Sequence, residues 1–232
     1  PVEGLLEPAY LDARAKALPE RGGGPAPTYG APRGAPKVGV DATREPGGTT
    51  HFVIVDRWGN VVSMTTTVES IFGSGRMVGG FFLNNQLTDF SFAPANADGT
   101  PAANAVAGGK RPRSSMSPAI VLDRQGRFVA AVGSPGGNAI LAYNLKALVG
   151  LLDWKLGVEE ALALPNVIAR GAPTNAELDR FAPGVVEGLA AKGVTLTGGG
   201  SAEGSGLHAV RVGPNGLEGA ADPRREGQAR SR

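Results

Sequence analysis

Two pairs of segments in which apolar and polar residues alternate predict two β-hairpins. The first pair covers His51 to Asp56 and Asn60 to Thr67, with Gly59 in the connection. The second pair covers Ala119 to Leu122 and Arg127 to Val132. Alternation with a period of two is typical of half-buried strands, and short connections rich in Asp, Asn and Gly join antiparallel neighbours. We therefore expect each pair to form two directly paired strands.

The rest of the chain carries helical and shorter strand patterns. Residues Asn138 to Leu152 are apolar on nearly all sides, which predicts a buried helix that starts at Asn138. Further helices are predicted over 8–18, 158–164 and 183–192, and strands over 194–197, 208–212 and 217–220. Hairpins followed by helices and then antiparallel strands predict a layered α+β fold with sheets between helices, rather than a doubly wound parallel sheet.

Three segments have the composition of surface structure. Residues 19–48 are rich in Gly, Pro and Arg and predict an exposed linker. Residues 93–109 are small and polar and predict a mobile surface loop. The basic residues near the C-terminus predict a solvated tail: Arg224, Arg225, Arg230 and Arg232.

Composition narrows the range of functions. The 232 residues are 41% apolar, enough for one large or two small domains with a core. A net charge of +2 gives no indication of a nucleic-acid partner, and the absence of cysteine excludes disulfides and thiolate metal sites. With two histidines, we expect neither a protein-held transition metal nor another cofactor. No leader or long apolar run is present, so no membrane span is predicted, and a cytoplasmic or a periplasmic location stays open.

The stretch Gly-Gly-Thr-Thr at 47–50, which opens the first strand, carries candidate chemistry. A threonine hydroxyl needs a positioned base, and the α-amine of an N-terminal threonine supplies one. Gly48 lacks a Cβ, so its carbonyl can approach the Thr49 hydroxyl for an acyl shift that cuts the chain. Thr67 lies on the face of the second strand that can reach the chain start. The same residues also fit a simple turn and a strand rich in threonine, so both interpretations stay open.

Three other segments carry polar groups that suit a substrate site. The polar run 84–90 fits a pocket wall or a capped turn. Ser114 and Ser115 are adjacent and could donate hydrogen bonds to a carboxylate. The backbone N–H groups of Gly136 and Gly137 could point at a developing oxyanion, or form an ordinary turn into a helix.

Six motifs in this order resemble the small subunit of γ-glutamyltransferases, the glutathione hydrolases. They are TTHFVIVD, FGSG, FLNNQLTDFS, KRPRSSMSP, GSPGG and ADPRREG, and they span 49–225. The resemblance implies an αββα sandwich of the N-terminal-nucleophile hydrolase type, of which this chain is an incomplete half. Residues 1–48 would then be the C-terminal end of the large subunit with its processing linker, and 49–232 the small catalytic subunit. A start at Pro1 also suggests a fragment of a longer protein.

The resemblance implies a role for each matching residue. Thr49 corresponds to the autoprocessing and acyl-accepting threonine, with cleavage between Gly48 and Thr49, and Thr67 to the threonine that orients it. Gly136 and Gly137 correspond to the oxyanion hole. Ser114 and Ser115 correspond to the site of the substrate α-carboxylate, and Gln86 and Asp89 to the site of its α-ammonium. Glu69 departs from the pattern, because many members carry asparagine there. The 93–109 loop departs too, because it lacks the aromatic residue of a covering lid.

The expected reaction is acyl transfer from a γ-glutamyl amide such as glutathione to water, an amino acid or a peptide. A cephalosporin acylase that removes a glutaryl group is the alternative within the family, and an inactive fragment is the alternative outside enzymes. Glu69 and Asp89 favour a substrate with an ammonium group, which glutaryl lacks. The family's large subunit supplies an arginine for the α-carboxylate. The isolated 232 residues are therefore expected to be poorly stable and nearly inactive, with apolar surface exposed around the site.

The nucleophile assignment predicts two different outcomes for adjacent threonines. Thr49→Ala removes the attacking hydroxyl, so the Gly48–Thr49 bond should stay intact and turnover should vanish. Thr50→Ala is the matched control and should still be processed. Intact-mass measurement distinguishes one chain from two, and a cleaved Thr49→Ala chain would contradict the assignment.

Overall fold

The computed structural model describes residues 2–22, 28–41, 43, 48–170, 174–199 and 204–231 as one continuous fold of helices and strands. Helices cover α1 (Val2–Leu5), α2 (Pro8–Lys16), α3 (Ile140–Leu152), α4 (Val158–Ala163) and α5 (Val185–Ala191). The strands are β1 (Thr49–Val55), β2 (Val61–Thr67), β3 (Met77–Val78), β4 (Phe81–Phe82), β5 (Ala119–Leu122), β6 (Phe128–Gly133), β7 (Val167–Ile168), β8 (Thr174–Ala176), β9 (Leu196–Gly198), β10 (His208–Gly213) and β11 (Gly216–Ala221). Short 3₁₀ turns cover Gln86–Asp89, Gly137–Ala139 and Leu178–Arg180.

Two antiparallel sheets face each other. Strands β1 and β2 form one, and β11, β10, β6 and β5 form the other in that order. Both predicted hairpins are present, because β1 pairs with β2 and β5 with β6. The inner face of the first sheet packs on β6 and β10, and α3 and α4 cover the opposite face of the second sheet. Sheet, sheet and helix therefore form three successive layers.

Strand β6 lies at the centre of these layers. Its last four residues are buried, since sheet and helices cover its two sides. Gly133 faces the other sheet, where a Cβ would come within 2.2 Å of the His51 ring. The core on the helical side is built of apolar residues from α3, α4, β6, β10 and β11, among them Val132, Tyr143, Ala147, Leu162, Leu207 and Ala209.

The outer face of the β1–β2 sheet is apolar and exposed. Phe52 pairs with Met64 and Ile54 with Val62, and these side chains are 36–54% exposed. Alternation places these residues opposite the inward-facing Thr49 and His51. This sheet face is the apolar surface expected near the site, and a fourth layer would cover it.

Helix α3 differs from its prediction in two ways. It starts at Ile140 after a 3₁₀ turn, and its N-cap is Ala139 without a side-chain cap, so Asn138 does not start the helix. It is also buried on one side only, because Leu141 and Leu145 are 58% and 63% exposed. Leucines on both faces obscured the amphipathic pattern. Among the described helices, none is both long and apolar enough to cross a membrane.

One other prediction was wrong in detail. Strand β8 pairs with β7 antiparallel but with β9 parallel, so the small third sheet is mixed, and neither β7 nor β8 was predicted. The 93–109 loop lies mostly on the surface, as predicted, and makes contacts of its own, while its mobility stays a prediction. Its Asn104 is buried, and Ala95 forms a bridge with Pro101.

The predicted solvated tail is wrong at Arg224. Its side chain is only 8% exposed and binds Glu177 at 2.6 Å and Asp222 at 3.0 Å. It also donates to the carbonyls of Leu162 and Leu164, which α4 leaves without helical partners at its C-terminal end. Arg224 therefore ties the end of the chain to α4 and to the segment after β8.

Lys146 of α3 shares this site. Its ammonium group donates to the same two carbonyls, at 3.0 and 2.8 Å. Burial, together with the charge of Arg224, lowers the pKa of Lys146 to about 8. The two cations thus supply hydrogen-bond donors to the carbonyls at the C-terminal end of α4.

Arg224→Met should reduce the free energy of unfolding by roughly 3–5 kcal/mol, because it leaves two carboxylates buried without their main cation. Arg230→Met is the matched control, since Arg230 is exposed and its side chain binds only Gln228 among the described contacts. We expect the control to change stability by less than about 0.5 kcal/mol. Urea unfolding measures both, and equal small losses would contradict the structural role of Arg224.

Candidate functional site

The site begins with a pair of threonines on neighbouring strands. Thr49 starts β1 and lies directly opposite Thr67, the last residue of β2. The Thr49 hydroxyl donates to Thr67 Oγ1 at 3.0 Å, as the period-two prediction requires. The register fixed by the hairpin therefore brings together two hydroxyls that are 18 residues apart in sequence.

Gly48 directly precedes Thr49 in this pair. Its carbonyl oxygen accepts from the Thr67 hydroxyl at 3.2 Å and from the Val68 N–H at 3.4 Å. Its φ is +154°, and a Cβ would lie 2.3 Å from the Glu69 carbonyl oxygen. Glycine is therefore required here for two reasons: a side chain would clash with the Glu69 backbone, and a positive φ is seldom adopted by residues with a Cβ.

Glu69 has a strained backbone conformation at the same place. Its φ is +74°, in the left-handed region that residues with a Cβ seldom adopt. The Glu69 N–H donates to Thr67 Oγ1 at 2.8 Å. Strain of this kind occurs at sites that the surrounding structure holds firmly, and here Glu69 lines the same pocket as the threonine pair.

Glu69 and Asp89 form a buried carboxyl pair. Their exposures are 6% and 4%. Burial raises the pKa of Asp89, while a hydrogen bond with Glu69 and the charge of Arg113 act in the opposite direction. A cation bound between these groups would relieve the cost of burying them.

A small pocket collects most of the predicted site residues. Its lining includes Thr49, Thr67, Glu69, Asp89, Ser114, Ser115 and Gly137, together with Arg113, Met116 and Ile140. Gly136 is buried beside it, where a Cβ would meet the Tyr143 ring at 2.5 Å. Gln86 begins the 3₁₀ turn that ends at Asp89 and does not line the pocket in the uncut chain.

With this geometry established, the chain can be compared with known proteins. The model of the family described as gamma-glutamyltranspeptidase matches residues 1–231. The chain belongs to the gamma-glutamyltranspeptidase family. Among curated relatives, the glutathione hydrolase proenzymes of Pseudomonas aeruginosa and Escherichia coli are both 40% identical, over 98% and 81% of this chain. These matches cover 40% and 33% of the two relatives, so the chain spans well under half of their length.

Solved structures of the family have the same fold. Gamma-glutamyltranspeptidase from Pseudomonas nitroreducens in complex with L-DON is 38% identical, with a TM-score of 0.64 over 78% of this chain and 98% of that one. Cephalosporin acylase from Bacillus halodurans gives a TM-score of 0.75 over 98% of this chain and 39% of that one, and at 23% identity it shows the fold alone. The fold is that of the N-terminal-nucleophile hydrolases, and the three layers observed here are part of their αββα sandwich.

The turn between β6 and α3 is held by the C-terminal part of this family member. The Gly206 N–H donates to Ser134 Oγ at 3.1 Å, and a Cβ on Gly206 would meet Pro135 at 2.8 Å. Asp222 accepts from the Leu207 N–H and from Ser205 Oγ. Asp222 thereby supports the 205–207 segment that packs against Ser134 and Pro135, just before the Gly136–Gly137 turn, a role that the sequence analysis did not identify.

The sequence analysis also missed contacts of the segment before the predicted cleavage site. Arg113 binds Asp41 and the Thr43 carbonyl, and Asn104 binds both Thr43 and the Asp89 carbonyl. The only signal in the sequence was the position of Arg113, immediately before Ser114. Its side chain lines the pocket with the residues that were predicted.

His51 lies two residues after Thr49 on the inner face of β1. Its Nδ1 is 2.8 Å from Thr65 Oγ1, its Nε2 is 3.5 Å from Ser63 Oγ, and the side chain is 2% exposed. Burial, helped by the charge of His208, lowers the pKa of His51 from 6.5 to about 4. A neutral imidazole thus supports the strand that presents Thr49.

This buried histidine predicts a loss of stability in acid. The unfolded chain takes up a proton on His51 near pH 6.5 and the folded chain near pH 4, so stability falls as pH drops between these values. The shift corresponds to roughly 3 kcal/mol in total. Urea unfolding at pH 7.5 and pH 5 should show a smaller loss in His51→Gln, which keeps a polar side chain but does not titrate. Parallel pH profiles for the two proteins would show that His51 does not titrate in this way.

Proposed function

We propose that this chain carries the catalytic residues of an autoprocessing threonine hydrolase and acyltransferase that acts on γ-glutamyl amides such as glutathione. The observation that carries the proposal is the hydrogen-bonded series from Thr49 Oγ1 through Thr67 Oγ1 to the Gly48 carbonyl. Relatives named glutathione hydrolase proenzymes support both the processing and the substrate class. No metal or other cofactor enters the proposed reaction.

Processing begins with attack of Thr49 Oγ1 on the Gly48 carbonyl carbon. The developing negative charge on the Gly48 oxygen has two donors in place, the Thr67 hydroxyl and the Val68 N–H. The peptide C–N bond breaks, the proton lost by the Thr49 hydroxyl ends on the peptide nitrogen, and Gly48 becomes an ester of the Thr49 oxygen. Water then hydrolyses the ester, which leaves a Gly48 carboxylate and a free Thr49 amine. Residues 1–48 and 49–232 become separate chains that continue to work together.

In the processed protein, the new amine is the base that Thr49 lacked. It accepts the hydroxyl proton while Thr49 Oγ1 attacks the γ-carbonyl of the substrate, and it returns the proton to the departing amine. The glutamyl group stays on Thr49 as an ester. Water, an amino acid or a peptide then attacks this ester and restores the hydroxyl. Thr67 orients the nucleophile, and Gly136 and Gly137 are the proposed oxyanion donors.

The pocket suits a group with both charges of an amino acid. Glu69 and Asp89 supply negative charge for the α-ammonium, and Ser114 and Ser115 supply hydroxyls for the α-carboxylate. Gln86 is proposed as a further contact of the ammonium group, although the uncut chain does not place it in the pocket lining. The large-subunit segment of the same precursor is the proposed protein partner and would cover the exposed face of the β1–β2 sheet.

A glutaryl acylase is the second candidate. Acylase ACY 1 proenzyme from a Pseudomonas species is 33% identical over 98% of this chain and 38% of that protein, which supports this candidate. A glutaryl group has a carboxylate but no ammonium, so it would bring no positive charge to Glu69 and Asp89. The carboxyl pair therefore favours γ-glutamyl substrates.

Turnover of two anilides by the natural gene product tests this choice. We expect kcat/KM for γ-glutamyl anilide to exceed that for glutaryl anilide by about 10- to 100-fold, since a charge-assisted contact contributes about 1.5–3 kcal/mol. Asp89→Asn should lower this ratio, and Asp12→Asn, on the exposed surface of α2, should preserve it. A preference for glutaryl would favour the acylase, and no turnover of either would favour an inactive fragment.

A further inference from the structure

Arg113 is the basic residue closest to the predicted carboxylate site in sequence, and it lines the same pocket. It directly precedes Ser114 and Ser115, and it shares the pocket with Thr49 and Asp89. Its charge acts on the Asp89 carboxyl, lowering a pKa that burial raises. The guanidinium thus lies within electrostatic reach of the residues proposed to hold the substrate.

In the uncut chain, this guanidinium binds the segment that precedes the cleavage site. Arg113 Nε lies 3.2 Å from Asp41 Oδ2, and Arg113 Nη2 donates to the Thr43 carbonyl at 2.6 Å. The pair is largely withdrawn from solvent, with side-chain exposures of 31% for Arg113 and 17% for Asp41. The other carboxylate oxygen of Asp41 accepts from the Thr43 N–H at 2.9 Å and the Thr43 hydroxyl at 2.5 Å.

Asn104 holds both sides of this contact together. Its side-chain amide donates to Thr43 Oγ1 and to the backbone carbonyl of Asp89. Its side-chain carbonyl accepts from the backbone N–H of Arg113 at 3.0 Å. The side chain is 4% exposed. The upstream segment, Arg113 and the loop that carries Asp89 are therefore one hydrogen-bonded unit.

We propose that Arg113 is a carboxylate-binding residue of the glutamyl pocket, and that in the uncut chain Asp41 takes the place of the substrate carboxylate on its guanidinium. A carboxylate on this guanidinium, beside two serines, is the arrangement that a substrate carboxylate needs. Glu69 and Asp89 lie on the same pocket, so the pocket presents both charges that an amino acid complements. The inference rests on the proposed function, because it assigns a further contact to the same substrate.

Cleavage between Gly48 and Thr49 gives this contact a second role. Thr43 is five residues before the cleavage point, so the cut turns 41–48 into the end of a separate chain. The contacts of Asp41 and Thr43 then lose their covalent connection to β1, and a substrate can compete for Arg113. Asp41 thus occupies the Arg113 guanidinium before processing, and a substrate carboxylate can displace it afterwards.

Two substrates that differ in one charge test the role of Arg113 in the processed natural gene product. γ-Glutamyl anilide carries the α-carboxylate, whereas 4-aminobutanoyl anilide keeps the ammonium and lacks the carboxylate. Arg113→Met should raise KM for the first about 10- to 100-fold and change its kcat less than about threefold. kcat/KM for the second should change less than about threefold. Arg113→Lys should recover part of the loss, because it restores the charge without the planar fork.

Arg111→Met is the matched control, since Arg111 is exposed two residues away and is not part of the pocket lining. It should leave both substrates unaffected. Equal losses on the two substrates in Arg113→Met would mean that Arg113 only supports the local structure. An unchanged KM for γ-glutamyl anilide would also overturn the proposal.

A binding measurement that needs no turnover tests Asp41. In the Thr49→Ala protein, titration calorimetry measures the affinity for L-glutamate when residue 41 is aspartate and when Asp41→Asn is added. We expect Asp41→Asn to bind glutamate about tenfold more tightly, because the competing carboxylate is gone, and Arg113→Met in the same background to weaken binding. Equal affinities in all three proteins would refute the proposal even if the γ-glutamyl reaction is confirmed. The expected order would support it even if that reaction fails.

Discussion

The hydroxyl of Thr67 is the group on which the site depends. It accepts from Thr49 and from the Glu69 N–H and donates to the Gly48 carbonyl, so one side chain connects the proposed nucleophile, the bond it would attack and the carboxyl group beside it. This arrangement depends on the register of the β1–β2 hairpin, since a slip of one residue would move Thr67 to the outer face. The inner face is in turn fixed by packing on β6, where Gly133 leaves room for His51.

The same layers that fix the register also leave surface uncovered. Among the described residues, α3 and α4 pack on the four-stranded sheet, whereas the outer face of β1–β2 presents Phe52, Ile54 and their cross-strand partners to solvent. In the αββα sandwich of the family, a second helical layer lies beyond such a face. The chain spans 40% and 33% of two curated relatives, and the three layers described here are part of that sandwich.

Electrostatic contacts of the C-terminal part of the chain support the turn at Gly136 and the end of α4. Arg224 and Lys146 satisfy the end of α4, and Asp222 orders the segment that supports the turn at Gly136. Ion pairs of this kind are buried, so each partner is needed once the other is present. The chain end therefore contributes to the geometry of a pocket whose chemical groups lie mostly before residue 140.

The sequence by itself determined the features that repeat over a few residues. Alternation predicted both hairpins and placed Thr67 on the face that reaches Thr49, because the side-chain period of a strand is a local property. The motifs, taken in order, indicated the family and most of the residues that line the pocket. Tertiary structure decided the features made by partners distant in the chain: Arg224 is buried because Glu177, 47 residues earlier, faces it, and Arg113 binds Thr43 across 70 residues. Composition alone assigns such arginines to the surface, since a charged side chain enters the interior only where the fold brings it counter-charges.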